Sequence, residues 1–189
     1  TEYRNNEEIK NHYEIEKELA NKLRKSTLLE RKSLYAEVYD EWHARLPNNP
    51  LMFKKGGDEG KLNIKRYFIK RFINKNSIFA DIGAGDCNLA IKLAADVSKV
   101  FAVDVSDKIF DQSKLPKNFS FSKTDGLTFP FNKLSIDVAY SDQVMEHIHP
   151  DDASMQVKGI YDLLKFGGVY ICCTPNRLVG PFDISKYFD

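Results

Sequence analysis

The chain has 189 residues, of which 42% are hydrophobic and 29% are charged, and its formal net charge is +1. These values are ordinary for one globular domain with an appendage, and the balanced charge argues against nucleic acid or an acidic membrane as a partner. The sequence has no apolar run long enough to span a bilayer, no signal-peptide core, and only three cysteines, without disulfide or metal-ligand spacing. We therefore expect a cytoplasmic protein that uses no metal ion.

The N-terminal part of the chain predicts two amphipathic helices. Apolar side chains recur every three or four positions within residues 7–46, with charged residues between them. The segment Pro47-Asn48-Asn49-Pro50 ends the second helix, because proline lacks a backbone donor and restricts the residue before it. We interpret residues 1–50 as an N-terminal helical extension and residues 51–189 as the main domain.

The next predicted helix, over residues 62–73, has a strongly basic side. Within residues 54–75 there are eight Lys or Arg residues and two acidic ones. A run of charge is usually a solvated helix face, and we favour that interpretation here. The alternative is a patch that attracts an anionic substrate.

From residue 78 onward, short apolar segments alternate with helical ones. Strands are predicted over residues 78–82, 100–105, 119–123, 136–140 and 169–174, and helices over residues 87–95, 107–113 and 152–165. Because the strands are continuous apolar runs, we expect both faces of their sheet to be covered. The predicted fold class is α/β, with a Rossmann-like doubly wound parallel sheet of five strands and an N-terminal helical extension.

Small and acidic residues follow the predicted strands. The first strand enters the glycine turn Gly83-Ala84-Gly85, the second ends at Asp104, the third is followed by Asp125-Gly126, and the fourth ends at Ser141-Asp142. The carboxyl ends of parallel strands form one edge of a sheet, where the ligands of such folds bind. The spacing by itself predicts a nucleotide-type crevice.

In this order, the motifs resemble those of class I S-adenosylmethionine-dependent methyltransferases over roughly residues 61–177. Residues 141–150, with the sequence Met145-Glu146-His147 at their centre, are similar to a segment of the type 11 small-molecule methyltransferases. The resemblance implies transfer of a methyl group from S-adenosyl-L-methionine to a small-molecule acceptor, leaving S-adenosyl-L-homocysteine. Methylation of oxygen, nitrogen or carbon is compatible with these motifs.

The resemblance also implies an arrangement of the domains. Methyltransferases of this kind have further strands after the position of Thr174, so residues 51–189 are expected to form a C-terminally truncated domain with an open sheet edge. Such an edge would suit association into a homo-oligomer. Residues 1–50 would pack over the crevice as a lid.

Roles for individual residues follow from the same resemblance. Asp81 would lie near the ligand ammonium, Asp104 would accept hydrogen bonds from the ribose hydroxyls, and Asp125 would accept one from the adenine amino group. The glycine turn would let backbone amides approach the ligand closely. The complete predicted cofactor-binding set is Asp81, Gly83, Ala84, Gly85, Asp104, Val105, Asp125, Gly126 and Ser141.

The predicted catalytic residues are His147 and Asp142. Histidine has an intrinsic pKa suited to a general base near neutral pH, so we hypothesise that His147 is the base where the acceptor needs one. The other interpretation is that His147 packs against the sheet edge and hydrogen-bonds to the backbone.

Two other functions stay open. A nicotinamide- or flavin-dependent oxidoreductase would have a third glycine where Asn88 stands, and the dehydrogenase-like spacing of Tyr161 and Lys165 runs directly into Gly167-Gly168. The second alternative is a non-catalytic S-adenosylmethionine-binding or partner domain. Each motif alone also has a local explanation, since Asp104 could cap a helix and Asp125-Gly126 could form a turn.

Overall fold

The computed structural model describes residues 4–46, 58–176, 178 and 184–188. The helices are α1 (Asn6–Lys25), α2 (Leu28–Arg45), α3 (Glu59–Ile69), α4 (Asn88–Leu93) and α5 (Pro150–Leu163). The strands are β1 (Ile78–Ile82), β2 (Lys99–Asp104), β3 (Phe119–Lys123), β4 (Ile136–Asp142) and β5 (Leu164–Cys173). Short 3-10 helices cover Met145–His147 and Ile184–Tyr187. The predicted helix end at Pro47-Asn48-Asn49-Pro50 lies outside the described residues.

The strands form one parallel sheet in the order β3-β2-β1-β4-β5. Phe79 of β1 is in register with Val100 of β2 on one side and with Val138 of β4 on the other. Strand order therefore reverses between β1 and β4, and ligands of such sheets bind in the crevice at the carboxyl ends beside this reversal. The predicted five-stranded parallel sheet is confirmed.

Helices cover both faces of the sheet. On one face, Ile69 of α3 and Leu93 of α4 are buried with Phe79 of β1. On the other face, Ile160 and Leu163 of α5 are buried with strand residues that include Ala80, Val103 and Ile136. Neighbouring residues of a strand point to opposite faces, which is why Phe79 and Ala80 enter different clusters. The predicted doubly wound arrangement is confirmed.

The predicted helix over residues 107–113 is wrong. The segment is a turn, in which Phe110 donates its backbone N–H to Asp107 O at 3.2 Å and its ring is buried 4.7 Å from that of Phe121. The Asp111 side chain accepts a hydrogen bond from the Ser113 N–H at 2.9 Å. Asp and Ser compete in this way with helical hydrogen bonding, so one anchored aromatic ring replaces a helix.

The two helices predicted for residues 7–46 are confirmed as α1 and α2, which pack against each other as a hairpin. Their buried contact is formed by Ile15, Leu19, Leu34, Val38 and Leu46. Each helix begins with a capping box, which Asn5 forms with Glu8 and Thr27 forms with Glu30. A capping box satisfies the free N–H groups of the first turn, so each helix has a defined start. Among the helices of the described residues, none is both long and apolar enough to cross a bilayer.

A buried ion pair attaches this hairpin to the main domain. The Arg31 guanidinium donates two hydrogen bonds to the Asp152 carboxylate, at 2.6 and 2.7 Å, and both residues are almost completely enclosed. The Tyr35 hydroxyl donates to the same carboxylate at 3.0 Å and accepts the His149 N–H at 2.8 Å. Because Asp152 lies in the first turn of α5, this cluster holds α2 against the carboxyl edge of the sheet.

Removing Arg31 should destabilise the protein strongly. In Arg31→Met the Asp152 carboxylate would be buried without its cation, which typically costs about 3–5 kcal/mol, so we expect a loss of this size in the free energy of urea unfolding. The double variant Arg31→Met/Asp152→Leu should recover part of the loss. Arg45→Met, which breaks exposed pairs with Glu18 and Glu41, is the control and should change stability little. If Arg31→Met lost no more free energy of unfolding than the control Arg45→Met, the expectation would be contradicted.

Candidate functional site

The turn after β1 requires glycine. Gly83 and Gly85 have φ values of +72° and +54°, in the left-handed region, and a Cβ on Gly83 would lie 2.3 Å from Cγ2 of Val144. The N–H groups of Gly83 and Ala84 both donate to Val103 O, at 2.8 and 3.0 Å. The turn is therefore fixed to the end of β2 and in contact with the loop after β4.

Asp104 continues this connection. Its Oδ2 accepts the Gly85 N–H at 2.7 Å, and its Oδ1 accepts the Ser106 N–H at 3.0 Å. Burial raises the pKa of Asp104, and the two amide donors oppose that effect. Each carboxylate oxygen can accept a further hydrogen bond, so Asp104 can still receive ligand hydroxyls.

Asp81 is an enclosed carboxyl group without a donor. It is 4% exposed, and no described residue donates a hydrogen bond to it. Burial raises the pKa of Asp81 to about 8, with further repulsion from Asp142 and Asp104 that Lys65 opposes. Such a group binds a cation well, because an ammonium would supply both the hydrogen-bond donors and the missing positive charge.

The loop after β3 closes one side of the crevice. A Cβ on Gly126 would lie 3.1 Å from Cγ1 of Val105, so the absence of a side chain at Gly126 leaves space beside Val105. The Asp125 Oδ1 accepts the N–H groups of Leu127 and Thr128 at 2.9 and 2.6 Å, as its local turn reading predicts. These bonds leave the second carboxylate oxygen of Asp125 uninvolved.

Sheet geometry separates the acidic residues from Ser141. Phe79, Ala102 and Tyr140 lie in the core cluster on one face of the sheet. Asp81, Asp104 and Asp142 each follow one of them by two positions, so their side chains point to that same face. Ser141 lies on the opposite face, where its hydroxyl is hydrogen-bonded to the Tyr170 hydroxyl at 2.7 Å. The structure thus brings together Asp81, Asp104 and Asp142, and it places Ser141 in contact with β5.

Asp142 forms an ion pair with Lys65 of α3. The rest of the basic side of α3 contacts the domain itself: Arg66 donates to Asp96 at 2.6 and 3.0 Å, and Lys70 pairs with the same carboxylate at 3.4 Å. The basic side of α3, which was predicted to be solvated, is therefore largely ion-paired, and its Lys65 side chain reaches the crevice. Sequence analysis noticed the charge run without finding this contact.

The two histidines after β4 differ in availability. His149 caps α5, since its Nδ1 accepts the Asp151 N–H at 3.2 Å. The exposed His147 side chain makes no hydrogen bond with the described residues, and its ring lies edge-on to that of Tyr39 at 6.3 Å. The interpretation in which His147 packs against the sheet edge and hydrogen-bonds to the backbone is therefore not what the structure shows.

Helix α2 crosses the carboxyl edge of the sheet. Tyr35 approaches Gly126, with 3.9 Å between its ring and a Cβ placed there, and Ser106 Oγ donates to Asp40 at 2.6 Å. Burial and the nearby Asp104 raise the pKa of the Tyr39 hydroxyl. A helix pattern does not reveal which element the helix will cover, so the position of these α2 side chains at the sheet edge could not be predicted from the sequence.

Comparison with known proteins agrees with this geometry. Residues 79–168 match the family described as "Methyltransferase domain". Over these residues the chain is similar to methyltransferase domains. The match includes β1 to β4 and the start of β5, and therefore the glycine turn, Asp104 and the segment with Asp142 and His147. No protein with a curated description matches the chain.

Several solved structures have a similar fold. One is described as a methyltransferase from an antibiotic biosynthesis pathway of Anabaena variabilis (TM-score 0.56, 21% identity, covering 67% of this chain and 51% of that one). Another is described as an S-adenosyl-L-methionine-dependent methyltransferase of Methanococcus maripaludis (TM-score 0.51, 24% identity, covering 72% of this chain and 61% of that one). A third is phosphoethanolamine N-methyltransferase 1 of Haemonchus contortus, in complex with phosphoethanolamine and S-adenosylhomocysteine (TM-score 0.56, 17% identity, covering 74% of this chain and 31% of that one). The chain spans less than two thirds of each, and at these identities the likeness shows the fold alone.

The enclosed state of Asp81 predicts a pH-dependent stability. Because its folded pKa of about 8 lies above the ordinary value of 3.8, the folded state keeps a proton that the unfolded state loses, and stability falls as pH rises between these values. The variant Asp81→Asn has no carboxyl group at this position and therefore lacks this pH-dependent loss of stability. We expect its stability relative to the wild type to increase with pH, by up to about 1.4 kcal/mol per pH unit in urea unfolding from about pH 4.5 to 7.5.

Asp107→Asn, which removes an exposed carboxylate at the same sheet edge, controls for the loss of one negative charge. A difference between Asp81→Asn and the wild type that stays constant over this pH range would contradict an enclosed, proton-retaining Asp81.

Proposed function

We propose that this domain binds S-adenosyl-L-methionine and transfers its methyl group to a small-molecule acceptor, releasing S-adenosyl-L-homocysteine. The observation that carries the proposal is the Asp81 carboxyl group, which has no hydrogen-bond donor among the described residues. It lies at the strand-order reversal of a sheet whose residues 79–168 match a methyltransferase family. The S-adenosylhomocysteine in the Haemonchus contortus enzyme, which has a similar fold, supports the same ligand class. The balanced charge of the chain favours a small molecule over nucleic acid as acceptor.

The residues around the crevice match the parts of this ligand. Asp81 would pair with its ammonium, and the turn Gly83-Ala84-Gly85, left-handed at its two glycines, would allow a close approach to its carboxylate. Asp104 would accept hydrogen bonds from the ribose. The space beside Val105 and Gly126 would receive the adenine, with the second carboxylate oxygen of Asp125 as acceptor for its amino group. Ser141 acts indirectly, because its hydrogen bond to Tyr170 fixes the end of β4 to β5.

When bound, the sulfonium supplies a methyl group that an acceptor atom takes up by in-line displacement. The protein contributes mainly position and exclusion of water, which can provide much of the rate of such a reaction. Asp142, held by Lys65, borders the place where the acceptor enters and offers a carboxylate that can orient it. His147 stands beside Tyr39 with its ring free, so it can remove the proton of a hydroxyl acceptor as the new bond forms.

Calorimetric titration with S-adenosylmethionine, S-adenosylhomocysteine and NADH tests the cofactor. We expect saturable binding of both adenosyl ligands and none of NADH. Asp104→Asn should weaken adenosyl binding by about tenfold or more, since charge-assisted hydrogen bonds to the ribose are lost. Asp107→Asn is the matched control and should bind like the wild type. Binding of NADH alone would favour an oxidoreductase, and a folded chain that binds none of the three would favour a partner domain.

The role of His147 can be tested separately from cofactor binding. With labelled S-adenosylmethionine and a panel of hydroxylated and phenolic acceptors, His147→Ala should lower the rate at saturating substrate by about 100-fold or more for acceptors that must lose a proton. Glu146→Gln, a change in the same 3-10 helix, is the control, and binding of S-adenosylhomocysteine should be normal in both variants. An unchanged rate in His147→Ala would exclude it as the base.

A further inference from the structure

One buried polar atom near the crevice has no hydrogen-bond partner among the described residues. It is the Nδ1 atom of His43, on α2, which is enclosed. Enclosed polar atoms nearly always have a partner, because leaving one unpaired costs free energy. The ring packs 4.9 Å from that of Trp42, which fixes its position on the helix.

The contacts of α2 place this atom at the end of β2. One turn before His43, the Asp40 carboxylate accepts the Ser106 hydroxyl at 2.6 Å, and the Ser106 N–H donates to Asp104. Asp104 also acts electrostatically on both His43 and Tyr39. The buried pair of Arg31 and Asp152 holds the helix in this place. The unpaired nitrogen and the Asp104 carboxylate therefore belong to the same side of the crevice.

The chemistry of the two side chains is complementary. Burial lowers the pKa of His43, against the opposing effect of Asp104 and Asp40, so the imidazole is neutral near physiological pH. A neutral imidazole nitrogen either accepts or donates, according to its tautomer, whereas a carboxylate only accepts. A ligand with two adjacent hydroxyl groups can therefore satisfy both side chains, since each hydroxyl is donor and acceptor.

We propose that His43 is a cofactor-recognition residue, whose Nδ1 hydrogen-bonds one ribose hydroxyl of the bound adenosyl ligand while Asp104 binds the other. This assignment rests on the proposed function. It makes α2 a part of the cofactor site as well as its cover, and it gives a partner to an enclosed atom that has none among the described residues.

Titration of the full chain with S-adenosylhomocysteine tests the assignment. His43→Phe keeps a ring against Trp42 but removes the nitrogen, and should weaken binding by about tenfold. His43→Gln, which restores a hydrogen-bonding group, should recover part of the affinity and serves as the second variant if the first does not fold. Arg45 lies on the same helix and pairs with Glu18 and Glu41, away from the crevice. The control variant Arg45→Gln should therefore bind S-adenosylhomocysteine like the wild type.

Analogues of S-adenosylhomocysteine that lack the 2′- or the 3′-hydroxyl distinguish recognition from packing. For one of the two, wild type and His43→Phe should bind equally well, because the hydroxyl that His43 contacts is missing. Equal binding of S-adenosylhomocysteine by wild type and His43→Phe would overturn the assignment. So would a result in which His43→Phe binds both analogues more weakly than the wild type by the same factor. A wild-type chain that binds no S-adenosylhomocysteine would overturn the proposed function, and with it this assignment.

Discussion

The left-handed backbone turn after β1 is the constraint on which the rest of the site depends. Its N–H groups hold Val103 O and the Asp104 carboxylate, which connects the ends of β1 and β2. Its outer side touches Val144, directly before the 3-10 helix that carries His147. A side chain at Gly83 would push Val144 away, and the displacement would reach the opposite wall of the crevice. One backbone conformation thus sets the distance between the two walls of the crevice.

Two buried carboxyl groups show how the protein separates stability from function. Asp152 is satisfied completely, with two hydrogen bonds from Arg31 and one from Tyr35, and the guanidinium keeps its pKa below the ordinary value. Asp81 is 4% exposed, no described residue donates a hydrogen bond to it, and burial raises its pKa. The first arrangement stabilises the contact between the hairpin and the domain. The second is unfavourable for the free protein, and such local costs are typical of binding sites, where a ligand supplies what the chain leaves out.

Sequence reasoning found the features that depend on local pattern and sheet topology. Asp81, Gly83 and Asp104 could be predicted because apolar runs identify parallel strands, whose carboxyl ends must meet. The same period of two could have separated Ser141 from Asp142, which point to opposite faces of β4. The contact of Lys65 with Asp142 joins residues 77 positions apart, and that of Arg31 with Asp152 joins residues 121 apart. Such contacts depend on how preformed helices dock, which no local pattern encodes.

The docking of the hairpin decides what kind of site this can be. If α2 were held only by groups in the crevice, its position would depend on the ligand. Instead, Arg31 and Asp152 fix it from outside the crevice, through an ion pair that is complete without any ligand. Tyr39, Asp40 and His43 are therefore carried to the end of β2 in advance, and little conformational freedom remains to be lost on binding there. A site arranged beforehand binds more tightly than one that must be assembled, because the ordering cost is met during folding. A ligand that contacts both α2 and the glycine turn would in turn stabilise the docked hairpin, since any ligand that binds only the folded arrangement favours it.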